Sequence, residues 1–336
     1  MSNPLISLII PMYNAEAFIK ECLDSVASQT YENLEIIVID DDSTDSSAEI
    51  VATYSKKRKI IYAKVQNKNA AKTRRDGLKK ATSDLVCFVD SDDVIHEDYV
   101  THLYEAMRET RTELAVCKIE TFTDEPIPSG AVKRSLPRVI ESNADSFANH
   151  YHITETNKLT LQTLPCKLFK KDLFKDIDYT VLEANIFEDN FIMVQVLRKV
   201  NTIAVVDEGL YWYRQVSGST SGGTIATMVE HNGVRLNSVE FFKDVVMAYC
   251  KKMLNGPNVD DAIERLSAAE FFNYARMVPD LLVRKEYLEQ KAALDEARLK
   301  ENELRLNAIL DSASYKLGHT LTAPARKLLN GRAGKR

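Results

Sequence analysis

Cysteine is scarce in this chain of 336 residues. Its five thiols, Cys22, Cys87, Cys117, Cys166 and Cys250, are scattered and show no metal-ligand spacing. A disulfide framework is therefore not expected, and the thiols read as small buried hydrophobes in a reducing compartment. No apolar run approaches the ~20 residues that span a bilayer. Met1 to Pro4 lead straight into apolar sequence with neither a basic leader nor a signal core, so a cytoplasmic location is expected. Basic residues are not in excess: 44 Lys and Arg stand against 49 Asp and Glu, a formal net charge of −5. That balance argues against a nucleic-acid partner. No G-x-G-x-x-G follows an apolar run, which excludes a dinucleotide-binding fingerprint. The six histidines (His96, His102, His150, His152, His231 and His319) form no metal or triad pattern.

What the chain does have is an alternation of strand and helix signals over its first part. Leu5–Ile10, Leu34–Ile39, Ile60–Val65, Leu85–Val89 and Leu114–Lys118 read as strands that are apolar throughout. Between them lie helix signals, among them one capped by Asn14 and carrying Phe18, Cys22 and Val26, one near 69–80 and one near 96–110. Apolar strands separated by helices predict an α/β fold with a mostly parallel sheet covered on both faces. Residues 120–160 read as loops with one short helix near 142–152. A helix is expected around 187–199 and a strand at 202–206, and residues 225–283 read as helical.

Three polar clusters follow three of these strands: Pro11-Met12-Tyr13-Asn14, Asp40-Asp41-Asp42-Ser43-Thr44-Asp45 and Asp90-Ser91-Asp92-Asp93. The carboxyl ends of parallel strands share one edge, and ligands bind there. Seven aspartates on one edge are costly unless cations or hydrogen bonds offset them. Asp90-x-Asp92 supplies hard oxygen ligands for Mn2+ or Mg2+ with positions left open for phosphate. A haloacid-dehalogenase-type phosphatase is disfavoured, since its aspartate would occupy the place of Pro11 to Asn14.

These segments resemble the family 2 glycosyltransferases of the GT-A fold. Ile9-Ile10-Pro11-Met12-Tyr13-Asn14 resembles their I-I-P-x-Y-N, and Asp40 to Asp45 their D-D-G-S-T-D, with Asp42 in place of glycine. Residues 71–78, AKTRRDGL, resemble A-R-N-x-G-L with Arg74 on the arginine and Arg75 replacing asparagine. Phe88 to Asp93 match F-x-D-S-D-D. Cys166-Lys167-Leu168-Phe169-Lys170-Lys171 resembles N-K-L-[YF]-[KR]-[KR], Glu188-Asp189 an E-D pair, and Tyr211 to Gln215 with Ser219 the segment Y-Y-Y-R-Q…S. The resemblance covers about residues 5–221.

The resemblance implies an inverting, metal-dependent enzyme that moves a sugar from a UDP-sugar to a hydroxyl of a glycan or lipid-linked acceptor in surface polysaccharide synthesis. The donor would meet Pro11, Tyr13, Asn14, Asp41, Arg74, Asp90, Ser91, Lys167, Arg214 and Ser219. In that set Tyr13 would stack on the base, Asp41 would accept its N–H, Arg74 would face base or phosphates, and Asp90 would hold ribose or sugar. Asp92 would bind the metal and Asp189 would be the general base. Glu188 and Trp212 are placed on the acceptor side; Glu188 alternatively supports the helix start, and Trp212 alternatively packs in the core. Arg214, Ser217 and Ser219 with Gly218, Gly222 and Gly223 read as a flap closing over the diphosphate. A sugar nucleotidyltransferase and a catalytically inactive GT-A scaffold are the alternatives. The first would carry a Gly-rich phosphate loop after its first strand.

The expected organisation is a nucleotide-sugar-binding part (1–118), an acceptor-side part (119–222), a helical region (223–283) and a charged helix with a basic tail (284–336). Residues 284–311 carry a heptad-like seam broken by Asp295 and Asn302, which suits a stalk or a homo-oligomer contact. Residues 312–336 hold Lys316, Arg326, Lys327, Arg332, Lys335 and Arg336 and no acid. Such a segment suits an anionic membrane surface and a peripheral location on the inner face of the plasma membrane. A solvated end is the alternative.

Overall fold

A strand buried on both faces needs apolar side chains on both, and Ile6, Leu8, Ile9 and Ile10 are all fully buried. They lie on β1 at the heart of the sheet in the computed structural model. The structure describes residues 3–55, 59–123, 132–150, 158–179, 188–215, 228–231 and 234–237, with Cys250, Met253, Val259, Asp261 and Ala262. Two compact units divide at Phe271, and the second, Phe272–Arg336, lies outside the described residues. The readings of 284–311 and 312–336 therefore fall outside them too. Among the described residues no helix is long and apolar enough to cross a membrane.

The chain runs β1 (Ile6–Met12), α1 (Ile19–Ala27), β2 (Leu34–Asp40), α2 (Ser47–Ser55), β3 (Ile60–Lys64), α3 (Ala70–Lys80), β4 (Leu85–Phe88), β5 (Val94–Ile95), α4 (Tyr99–Thr110) and β6 (Leu114–Phe122). It continues through β7 (Arg138–Glu141), α5 (Ala144–Asn149), β8 (Lys167–Lys170), a 3-10 turn at Lys171–Phe174, α6 (Glu188–Leu197), β9 (Thr202–Arg214), β10 (Met228–His231) and β11 (Val234–Asn237). The main sheet has the order β3-β2-β1-β4-β8-β6-β9-β5, with β7 also on β9. β1 to β4 pair in parallel, as do β6 and β9. β8 enters antiparallel between β4 and β6, and β5 and β7 pair antiparallel with β9. Six of nine strands run one way, as the α/β reading expects.

Two local expectations change. Asn14 does not cap α1, which begins at Ile19 with no side-chain cap. The Asn14 side-chain Oδ1 instead accepts the Thr44 N–H, 2.9 Å away on the next loop. The stretch read as helical from 225 contains the antiparallel pair β10–β11. Between those strands the sequence reads Asn232-Gly233, a strong two-residue hairpin signal.

The strand order reverses at β1, because the chain goes outward through β2 and β3 and returns to β4 on the other side. A crevice opens at such a switch point. α3 reaches this point closely because residue 77 is glycine: an added Cβ would lie 2.3 Å from Ile9 Cγ2. Asp42 sits in the left-handed region at φ 65°, which explains why the resembled motif has glycine there. The Asp42→Gly variant is expected to be more stable than Asp42→Ala by about 1 kcal/mol. Both lose the 3.1 Å ion pair with Lys64, so comparing their melting temperatures isolates the backbone effect.

Candidate active site

The three polar clusters do converge, and hydrogen bonds offset most of the charge of the two acidic ones. Asp40 accepts the Ser43 N–H at 2.8 Å and the Tyr62 hydroxyl at 2.5 Å. The Asp41 carboxylate takes four donors: the N–H groups of Asn67 (2.6 Å), Lys68 (3.0 Å) and Asn69 (3.1 Å), and the Thr73 hydroxyl (3.0 Å). Asp42 pairs with Lys64. Asp45 accepts the Glu16 N–H and the Ser47 hydroxyl. Asp93 accepts the Tyr211 hydroxyl at 2.6 Å and the Arg214 N–H at 2.9 Å. Asp90 is paired with Arg74 at 2.7 Å.

That accounting leaves Asp92. Among the described residues its carboxylate has no ion pair and no hydrogen bond beyond its own backbone N–H. Burial, then the Asp90 carboxylate, push its carboxyl above the usual range. Arg214 and Arg74 act on it only at a distance. A half-buried carboxylate without an ion-pair partner fits a divalent cation such as Mn2+ or Mg2+.

Across the crevice, Arg74 is buried and bridges two loops. Its Nη2 donates to Asp90 Oδ1 at 2.7 Å and its Nη1 to Asp189 Oδ1 at 3.1 Å, with Glu188 Oε1 at 3.8 Å. Desolvation works against its charge, but Asp189, Asp90 and Glu188 together hold its pKa above normal. The other oxygen of Asp189 accepts the Leu164 N–H at 2.9 Å. Burial raises the Asp189 carboxyl above its ordinary value, although Arg74 pulls it back. Burial and then Asp189 likewise raise Glu188. Asp189 thus starts α6 with its position set from two sides.

Several expected contacts take another form. Lys167 is fully buried, and its Nζ donates to the carbonyls of Thr163 (2.6 Å) and Pro165 (3.2 Å). It shapes the turn that presents the Leu164 N–H to Asp189, and its charge draws the Asp189 carboxyl down from a distance. Cys166 in that turn has φ 62°, where the asparagine of the resembled motif would be at ease. Arg214, read from the sequence as part of a flap, is buried. Its Nε donates to the Asp92 carbonyl at 2.8 Å, its Nη2 to Glu21, and its guanidinium stacks between Phe122 and Phe18. Its task is to hold the Asp92 turn. Trp212 packs edge-on to Phe122 and is half-buried. Tyr13 is 63% exposed at the end of β1, a free aromatic face beside the crevice. Pro11 lies half-buried near the end of β1, and Ser91 half-buried in the acidic turn after β4. Ser217, Gly218, Ser219, Gly222 and Gly223 fall outside the described residues.

The residues that sequence reasoning missed are Tyr211 and Leu164. Tyr211 accepts the Asp90 N–H at 3.1 Å while donating to Asp93, so it ties β9 to the acidic turn. Its only sequence signal was a place in the Y-Y-Y-R-Q-like segment. Leu164 acts through its backbone, which no side-chain pattern records.

Residues 7–178, about half of the chain, match the family model described as Glycosyl transferase family 2. The chain belongs to this family. It is 32% identical over 219 residues to glycosyltransferase GlyA of Streptococcus pneumoniae, covering 64% of this chain and 31% of that protein. It is 32% identical over 214 residues to the poly(ribitol-phosphate) beta-glucosyltransferase of Bacillus spizizenii, covering 62% and 32%. Against the poly(ribitol-phosphate) beta-N-acetylglucosaminyltransferase TarS of Staphylococcus aureus it is 28% identical over 273 residues, covering 80% and 43%. The matches thus span well under half of each of these relatives. The fold is shared with TarS residues 1–349 in complex with UDP-GlcNAc, at TM-score 0.61 and 22% identity over 85% of this chain and 79% of that one. It is also shared with the mannosyltransferase PcManGT of Pyrobaculum calidifontis in complex with GDP-Man and Mn2+, at TM-score 0.55 and 14% identity over 98% and 84%.

Proposed function

We propose that this chain is an inverting glycosyltransferase that moves a sugar from a UDP-sugar to a hydroxyl of a polymeric or lipid-linked surface-glycan acceptor. The observation that carries the reading is the pairing of functions across one crevice: the Asp92 carboxylate, without an ion-pair partner among the described residues, on one side, and Asp189, held by Arg74 and the Leu164 N–H, on the other. The names of the poly(ribitol-phosphate) relatives support the acceptor class.

In this reading Tyr13 stacks on the nucleobase. Asp41 shapes the base site through the 67–69 backbone it holds, rather than as a lone acceptor, because its four acceptor positions are in use. Asp92 would hold the divalent ion, which when bound offsets the charge of the diphosphate leaving group. The acceptor oxygen attacks the anomeric carbon from the face opposite the diphosphate. As that C–O bond forms and the bond to phosphate breaks, Asp189 removes the hydroxyl proton. No second acid is required, since the leaving group departs as an anion. The basic 312–336 segment as a membrane-surface contact and 284–311 as a self-association segment remain part of the proposal.

The deciding experiment is a panel of nucleotide sugars with Mn2+, following release of the free nucleotide. Release of UDP from at least one UDP-sugar, faster than any GDP release, is the expected result. Preference for a GDP-sugar would overturn the donor assignment. Absence of turnover with every donor would leave only a binding scaffold.

A further inference from the structure

On α3, consecutive arginines face different ways. Arg74 turns inward to Asp90 and Asp189, whereas Arg75, about 100° further round the helix, lines a separate cleft of about 380 Å³. The cleft lies between α3 and the segment from Lys171 to Tyr179. Four cations line it: Arg75 and Lys79 from α3, Lys171 and Lys175 from the opposite wall. Asp76 and Asp172 pair with Lys79 (2.6 Å) and Lys175 (3.0 Å), and Asp176 also lines the cleft. Among the described residues, no carboxylate lies within ion-pair distance of Arg75 or Lys171.

Arg75 is unusual within this set. Its guanidinium sits over the Tyr179 ring, 5.4 Å from the centroid. Its Nε is buried without a hydrogen-bond partner, and no other bond from its side chain is made to a described residue. Stacking fixes the plane of a guanidinium while leaving its donor edge free, and that edge matches two oxygens of a phosphate. A buried donor with no partner is costly. Arg75 also stands where the resembled motif has asparagine.

We propose that this cleft binds a phosphodiester segment of the acceptor, with Arg75 clamping one phosphate and the lysines adding charge. The inference rests on the transferase reading above and names its acceptor as anionic. α3 carries both Arg74 and Arg75, so the cleft and the Arg74–Asp189 contact are built on one helix. A neutral glycan would leave Arg75 unpaired.

The test uses the full chain, a ribitol-phosphate oligomer as probe, and the variant Arg75→Gln/Lys79→Gln/Lys175→Gln. All three side chains are surface-accessible, and an unchanged melting temperature confirms folding. Oligomer affinity is expected to fall about tenfold or more, the effect of losing a charge-assisted hydrogen bond. Its salt dependence should become shallower. Arg75→Lys, which keeps charge but loses the fork, should fall between. UDP affinity should stay within about twofold, as for sites that do not share partners. Equal oligomer binding by wild type and variant overturns the proposal, as does an equal loss of UDP binding, which would assign the cleft to the donor. If wild type releases UDP but does not bind the oligomer, the cleft proposal fails while the transferase reading stands. If no UDP-sugar turns over, the transferase reading itself fails.

Discussion

Replacing Asp189 with asparagine is expected to lower turnover by about 10²-fold or more, the scale of a lost general base, while UDP affinity changes little. Asparagine keeps the size of the side chain and an oxygen to accept the Leu164 N–H. Arg74 keeps its 2.7 Å bond to Asp90, so the donor side of the crevice is not dismantled. What is lost is the carboxylate that, in the proposed mechanism, takes the acceptor proton. Calorimetry with UDP and a rate measurement on the same variant decide the matter. Equal losses in binding and rate would mean that Asp189 serves to hold the crevice together and that the base lies elsewhere.

Asp92→Ala is expected to reduce transfer by about 10³-fold or more, since a bound metal supplies several kcal/mol of charge stabilisation. The same change should make UDP binding insensitive to Mn2+. Stability should not suffer, because removing Asp92 relieves repulsion with Asp90 and breaks no side-chain contact. Asp93→Ala provides the contrast. It strips the acceptor from the Tyr211 hydroxyl and the Arg214 N–H, so it should lower the melting temperature. Wild-type rates in the presence of EDTA would remove the metal from the mechanism.

Much of the fold was legible because it depends on long-range features that leave local marks. β1, β2 and β4 are apolar throughout, and Asn69 caps α3 through the Lys72 N–H, as a residue of that type should. β8 was not legible. It has four residues with lysine at both ends, and only the finished sheet shows that Leu168 and Phe169 are fully buried. The candidate site was legible in its membership and not in its wiring. Motifs named Lys167, Arg214 and Asp41 but could not say which way they face. A lysine is rarely fully buried, so a ligand was the natural guess for Lys167. Its three polar partners on 163–165 could be seen only once the turn was formed.

The placement of β8 also bears on how the molecule is made. β6 meets the parallel half of the sheet only through β8, yet it leaves the ribosome some fifty residues earlier. The nucleotide-side strands β1 to β4 can assemble as the chain emerges, since each has its neighbour already in hand. β6 can pack on α4, which precedes it, but its link to β4 forms only when Lys167–Lys170 arrives. The turn that presents Leu164 to Asp189 precedes β8 directly, so the support of the carboxylate we propose as the base is completed late in synthesis. A half-made chain has the Asp40–Asp45 and Asp90–Asp93 loops without it.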